Sequence, residues 1–183
     1  AAADFSGWLR RKGNLQATDT VRQQASASGL GLERELPGPV GEKNLYALHP
    51  RGRILVVPQT EAGLYGQIGA VLATGNTAVV DRAAGLEKHL AGLPASVAAR
   101  IEFTADWEKD GPFAAALVEG ETDVVRTVCQ RVAALEGPLV TVHVATNEAA
   151  AHEEGWTLNW LLEEVSTSIN TAAAGGNASL MSI

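Results

Sequence analysis

Residues 53–80, RILVVPQTEAGLYGQIGAVLATGNTAVV, form the stretch of sequence that decides the fold. Arg53–Val57 predicts a buried strand, because it is a short apolar run that follows a turn. In Glu61–Thr74 the apolar residues recur at helical spacing, and Gly75–Asn76 then ends the predicted helix. Thr77–Val80 is predicted to be a second strand. A strand, a helix and a strand in this order are typical of two parallel strands joined by a helical crossover.

The same alternation continues on both sides of this stretch. The further predicted strands are Asn44–Leu48, Arg100–Thr104, Phe113–Val118 and Pro138–Val144, and the further predicted helices are Leu86–Leu93, Thr122–Leu135 and Trp156–Val165. Strands that alternate with helices of this length predict an α/β fold, with a Rossmann-like parallel sheet and helices on both faces.

The first residues of the chain are predicted to be helical and peripheral. Apolar residues near the start have the spacing of one helical face, and Gly13 ends that helix. Thr18 or Asp19 is expected to cap a second helix that runs through Ser28. The sequence thus divides into an N-terminal helical segment (1–36), a Rossmann-like α/β domain (37–164) and an extended C-terminal tail (165–183).

Composition excludes several classes of protein. The 183 residues are 46% hydrophobic and 19% charged, which is typical of one folded domain. A net charge of −7 argues against nucleic-acid binding, and the sequence contains no apolar run long enough to cross a membrane. It does not begin with the pattern of a secretory signal. Cys129 is the single cysteine, so no internal disulfide is expected and a cytoplasmic location is predicted.

A dinucleotide site would lie at the carboxyl ends of the parallel strands. The loop Pro58–Gly63 lacks the G-x-G-x-x-G pattern that lets the backbone approach a pyrophosphate, and Glu61 is expected to place a carboxylate there. The histidines do not pair at metal-ligand spacing, no G-x-S-x-G sequence is present, and Cys129 is expected to be a core thiol. We therefore expect no catalytic, cofactor-binding or metal-binding residue in this chain.

The tail, VSTSINTAAAGGNASLMSI (165–183), contains no ionisable side chain. One interpretation is a frayed C-terminus. The other is a docking tail whose backbone amides and small side chains pair with another protein surface. The residue pattern alone does not decide between them.

Three stretches carry a resemblance to a known family: INTAAAGGNASLM (169–181), the preceding NWLLEEVSTS (159–168), and LPGPVGEKNLYALHPRGRILVV (36–57). They resemble the C-terminal end of the proline utilisation A family. These long bacterial proteins join a flavin-dependent proline dehydrogenase to an NAD-dependent glutamate-semialdehyde dehydrogenase. The resemblance implies that this chain is a fragment without either catalytic domain, and that FAD and NAD are bound elsewhere in the full-length parent.

The resemblance also implies a degenerate aldehyde dehydrogenase cofactor-domain fold. Residues 68–80 are similar to the helix-to-strand passage of that domain, whose strand ends in a lysine, whereas Asp81 and Arg82 follow here. Gly120–Glu121 stands where that family has a Gly-Ser turn. After Val144 neither the family's glutamate segment nor its nucleophilic cysteine is present.

The tail is the part to which the resemblance assigns a function. It implies that the tail docks on the aldehyde dehydrogenase domain of the same polypeptide and helps to cover the path between the two active sites. The expected docking residues are Asn170, Thr171, Gly175, Gly176, Asn177, Ser179, Leu180 and Met181. Two alternatives stay open: an oligomerisation module of a homo-oligomeric parent, and an independent NAD-binding oxidoreductase.

Overall fold

The structure, a computed structural model, describes residues 1–171. In chain order its strands are β1 (Glu33–Leu36), β2 (Glu42–Pro50), β3 (Arg53–Val57), β4 (Thr77–Asp81), β5 (Ile101–Thr104), β6 (Ala115–Glu119), β7 (Thr141–Ala145) and β8 (Leu162–Asn170). The α-helices are α1 (Ala2–Arg11), α2 (Leu15–Ala27), α3 (Glu61–Ala73), α4 (Ala95–Ala98), α5 (Thr122–Ala133) and α6 (Asn147–Ala150). Within these residues no helix is long and apolar enough to span a bilayer.

Five of the strands form a parallel sheet in the order β5-β4-β3-β6-β7. Successive residues of the central strand β3 point to opposite faces. Ile54 and Val56 belong to a core that includes α3, whereas Leu55 and Val57 belong to a core that includes α5. The predicted α/β fold, with a parallel sheet and helices on both faces, is confirmed.

The N-terminal helices α1 and α2 are not peripheral, contrary to the prediction. Phe5 and Leu9 are fully buried in the same core as β3, and the rings of Phe5 and Trp8 contact Tyr65 of α3. The cap of α2 also differs: the Asn14 side chain accepts a hydrogen bond from the Ala17 N–H at 3.0 Å. The last residues of this segment form the strand β1.

The predicted helix Trp156–Val165 is wrong. A 3-10 turn (Leu158–Leu161) precedes β8, which pairs with β2 from Leu162 opposite Pro50 to Asn170 opposite Glu42. The β-branched residues Val165, Thr167 and Ile169 favour an extended backbone, and β2 supplies the partner strand.

The predicted helix Leu86–Leu93 is also wrong, because the structure has only a 3-10 turn there, over Glu87–Leu90. The next α-helix, α4, begins after it, and Pro94 is its N-cap. Proline is accepted there because the first residues of a helix need no N–H partner within it.

Strands β1, β2 and β8 form a separate antiparallel sheet in the order β1-β2-β8, which we call the flap (33–50 and 162–170). All four residues of β1 and most of β8 are exposed. The part of the predicted tail that the structure describes therefore belongs mainly to a flap strand.

Candidate functional site

The candidate cofactor crevice lies where the order of the parallel strands reverses. Strands β4 and β5 follow β3 on one side, and β6 and β7 continue on the other. The carboxyl ends of β3 and β6 therefore meet the N-terminus of α3 at one place. In open α/β sheets this is where ligands bind, and the free N–H groups of the helix favour a phosphate.

Glu119, the last residue of β6, fills this position with a carboxylate. Its side chain is fully buried, and Oε2 accepts hydrogen bonds from the N–H groups of Gln59 and Thr60 at 2.7 and 3.0 Å. The Thr60 hydroxyl donates to Oε1 at 2.6 Å. The same hydroxyl caps α3 by accepting the N–H of Gly63 at 2.9 Å. The chain's own carboxylate thus receives the donors that a phosphate would need.

The carboxylate also packs directly against the backbone of α3. A Cβ atom added to Gly63 would lie 2.0 Å from Oε2 of Glu119, well inside van der Waals contact. Glycine is required here because the helix and the carboxylate approach so closely. A pyrophosphate would have to displace Glu119 and would meet a like charge while doing so.

The two carboxylates singled out from the sequence lie elsewhere. Glu61 is exposed; it accepts a hydrogen bond from the Tyr65 hydroxyl at 2.8 Å and lies 3.1 Å from Nδ1 of His89. Burial of the phenol and this bond to Glu61 raise the pKa of Tyr65 above its usual range. Glu121 is exposed at the start of α5. The expectation that Glu61 faces the phosphate position is therefore wrong, and Glu119 has that place.

The side chains at and just after the end of β4 are also held by internal contacts. Asp81, at the end of β4, is 7% exposed and accepts the N–H of Ala83 at 3.0 Å. The guanidinium of Arg82 lies over the ring of Phe103, 5.3 Å from its centroid. Among the described residues no group of three or more His, Cys, Asp and Glu could hold a metal ion. Cys129 is partly exposed on α5 and is not a core thiol.

The structure describes two of the predicted docking residues and places them at the end of the flap. Asn170 is the last residue of β8 and pairs with Glu42, and the Thr171 N–H donates to the Gly41 carbonyl at 2.8 Å. The other six, Gly175, Gly176, Asn177, Ser179, Leu180 and Met181, lie outside the described residues.

The flap itself offers a surface that the sequence analysis missed. On one face Leu45, Ala47, Val165 and Thr167 border a shallow cavity of about 350 Å³, together with Glu33 and Glu35. Within residues 1–171, β8 pairs with β2 alone, so its outer edge is open. An open edge strand is a template for pairing with another segment. The β-branched pattern of residues 162–170 was the signal that could have revealed it.

Sequence relatives decide the family. No protein-family model matches the chain. The bifunctional protein PutA of Rhizobium meliloti is 55% identical over 98% of this chain and 15% of that protein. The PutA of Salmonella typhimurium is 44% identical over 96% of this chain and 13% of that protein. The chain belongs to the PutA family.

A structural relative agrees with this family. A solved proline utilization A (PutA) variant from Bradyrhizobium japonicum matches with a TM-score of 0.54 and 25% identity, over 78% of this chain and 18% of that one. The chain thus spans less than one fifth of each of these three PutA proteins. The resemblance found in the sequence is confirmed: this is a PutA fragment.

Proposed function

We propose that this segment is a non-catalytic docking domain of a bifunctional proline-catabolic oxidoreductase of the cytoplasm. The observation that carries the proposal is the outer edge of β8, along which residues 162–169 have no second paired strand within residues 1–171. From residue 165 onward this strand belongs to the tail. The parent would oxidise proline to glutamate in two steps, with FAD and NAD held by its catalytic domains.

The position of Glu119 supports the proposal that this segment is non-catalytic. Its fully buried carboxylate uses the donors at the N-terminus of α3, where a Rossmann-like sheet would hold a cofactor phosphate. A fold alone does not confer an activity, and this crevice is filled by the chain's own atoms.

The docking partner would be the aldehyde dehydrogenase domain of the same polypeptide. Residues 165–183 contain no charged side chain, so pairing them with another backbone would desolvate no charge. An extended partner segment could add main-chain hydrogen bonds along the edge of β8, in the manner of strand addition. Docked in this way, the flap and tail would cover the path of the intermediate pyrroline-5-carboxylate between the active sites.

The test uses two truncations of the full-length parent, one ending after Thr171 and one before Val165. Coupled turnover of proline to glutamate is compared with turnover of supplied pyrroline-5-carboxylate. We expect a lag in the coupled reaction for both truncations, with a larger effect for the one that also removes residues 165–170 of β8. Leu139→Ser, at an exposed site outside the flap, is the control and should behave like the wild type. Unchanged coupled rates in both truncations would refute the docking role.

The same open edge also favours an oligomerisation module. In that case β8 of one copy would pair with another copy, and the parent's mass would fall on dilution. The truncation before Val165 would then lower the oligomeric state without producing a lag. Mass measurement at two concentrations therefore separates the two functions. For the third alternative, an NAD-binding oxidoreductase, a cofactor titration is decisive.

A further inference from the structure

The two long strands of the flap leave the body of the molecule at one point. Strand β2 continues into β3 through Arg51 and Gly52, and β8 begins directly after Leu161. Asn76, between α3 and β4, lies between these two connections. We call Arg51, Gly52, Asn76 and Leu161 the flap root.

Asn76 bonds to both connections with a single buried amide. Its side chain is 1% exposed; Oδ1 accepts the Gly52 N–H at 2.8 Å, and Nδ2 donates to the Leu161 carbonyl at 2.8 Å. Nδ2 also donates to Oγ1 of Thr74 at 2.8 Å. Both donors and the carbonyl oxygen of the amide are therefore in use.

Arg51 joins the same two connections from the outside. Its guanidinium donates from Nη1 to the carbonyl of Trp160 at 3.0 Å, one residue before Leu161. Strand β1 and most of β8 are exposed, whereas the middle of β2 is half-buried. Leu48 and Leu162, both close to the root, lie against Gly29. The contacts that can fix the direction of the flap are therefore concentrated at its root, where the hydrogen bonds of Asn76 join both connections.

We propose that Asn76 is a positioning residue that fixes the direction of the flap relative to the parallel sheet. Through Gly52 it holds the end of β2, and through Leu161 it holds the start of β8. The two strands therefore leave the body together, at a set angle. We call the two hydrogen bonds from Asn76 to Gly52 and Leu161 the clamp. The clamp rests on these observed bonds, whereas its consequence for docking rests on the proposed function.

The experiment measures amide hydrogen exchange in the full-length protein, segment by segment. In Asn76→Ala we expect exchange in 42–52 and 162–170 to rise about tenfold or more, because the buried bonds to both connections are lost. Exchange in β6 and β7 should not change. Asn147→Ala, at an exposed asparagine, is the matched control.

Asn76→Asp separates the two halves of the clamp. Aspartate keeps an acceptor for the Gly52 N–H but has no donor for the Leu161 carbonyl. We therefore expect faster exchange at 162–170 and little change near Gly52. A residue that only supports the core would give no such division. Arg51→Gln, at an exposed site, should give a smaller change of the same kind and remains available if the Asn76 variants do not fold.

Coupled turnover then distinguishes failure of the clamp from failure of docking. If Asn76→Ala shows a lag in coupled turnover while kcat for supplied pyrroline-5-carboxylate is unchanged, the result supports both the clamp and the docking role. Faster flap exchange without a lag supports the clamp and counts against the docking role. Unchanged flap exchange, or a uniform rise in every strand, overturns the clamp whatever the truncations show.

Discussion

At the scale of single residues, the bonds of Glu119 should be visible in stability. Glu119→Gln leaves one carbonyl oxygen and places an NH₂ group among donors, so at least one buried donor loses its acceptor. We expect a loss of about 1–3 kcal/mol in the free energy of unfolding, measured by chemical denaturation. Glu121→Gln, at an exposed glutamate two residues later, should change it by less than about 0.5 kcal/mol. Equal effects of the two substitutions would contradict the assigned role.

His143 should give the unfolding free energy a dependence on pH. Burial and the nearby charge of Arg51 lower the pKa of His143, whose ring packs on Trp160 at 4.7 Å between centroids. The unfolded chain takes up this proton near pH ~6.5, and the folded chain only at lower pH. The stability that the neutral ring of His143 contributes to folding is therefore complete above about pH 6.5 and is lost as the pH falls through the folded pKa.

The measurement compares unfolding of the wild type and His143→Gln at pH 7.5 and 5.5. The wild type should lose more stability on acidification than the variant does. His152→Gln, at an exposed histidine, is the control and should keep the wild-type dependence. A variant that loses as much stability as the wild type would show that His143 is not the group responsible.

At the scale of elements, the close contact between α3 and β6 predicts opposite results for two glycines in helices. Gly63→Ala would place a Cβ 2.0 Å from Glu119 Oε2, whereas a Cβ at Gly7 of α1 would meet only the flexible end of Arg11 at 3.6 Å. We expect Gly63→Ala to destabilise by about 1–3 kcal/mol. Gly7→Ala should be neutral or stabilise by up to about 1 kcal/mol, since alanine favours the helix. Thermal unfolding of both variants tests this, and a stabilising Gly63→Ala would refute the contact.

The parallel strands were predictable because their pattern is local. Arg53–Val57 was predicted with its observed bounds, and the helix that ends at Ala73 was predicted to within one residue. Strand β8 was not, because Trp156 and Trp160 have helical spacing, although one is 3% and the other 56% exposed. Its extended conformation depends on pairing with β2, more than a hundred positions earlier in the chain. The β-branched residues of 162–170 were a local signal of an extended backbone, but the identity of the partner strand has no local signal.

The same reasoning applies to the candidate site. The sequence predicted a carboxylate at the phosphate position but assigned it to Glu61, the nearest acid along the chain. The residue that lies there, Glu119, is brought in by the pairing of β3 with β6. A carboxylate that ends the buried run Ala115–Glu119 was the available signal, since a buried charge needs partners.

At the scale of the whole molecule, the parallel sheet is covered on both faces, whereas most flap residues are exposed within residues 1–171. In the same described part of the chain, β8 has an open edge. A sheet of three strands needs a covered face or a packed neighbour to be independently stable. The flap is therefore the part of this molecule whose stability should depend most on the rest of the parent.

Hydrogen exchange in the isolated segment and in the full-length parent tests that dependence. In an antiparallel edge strand alternate N–H groups face the partner strand and the others face outward. In the isolated segment we expect fast exchange for the outward half of the β8 amides, and in the parent we expect these to become protected by docking. Strand β3, central and buried, should be equally protected in both samples and reports that the segment is folded. If β8 exchanges identically in both while β3 stays protected, the outer edge of the flap has no partner in the parent.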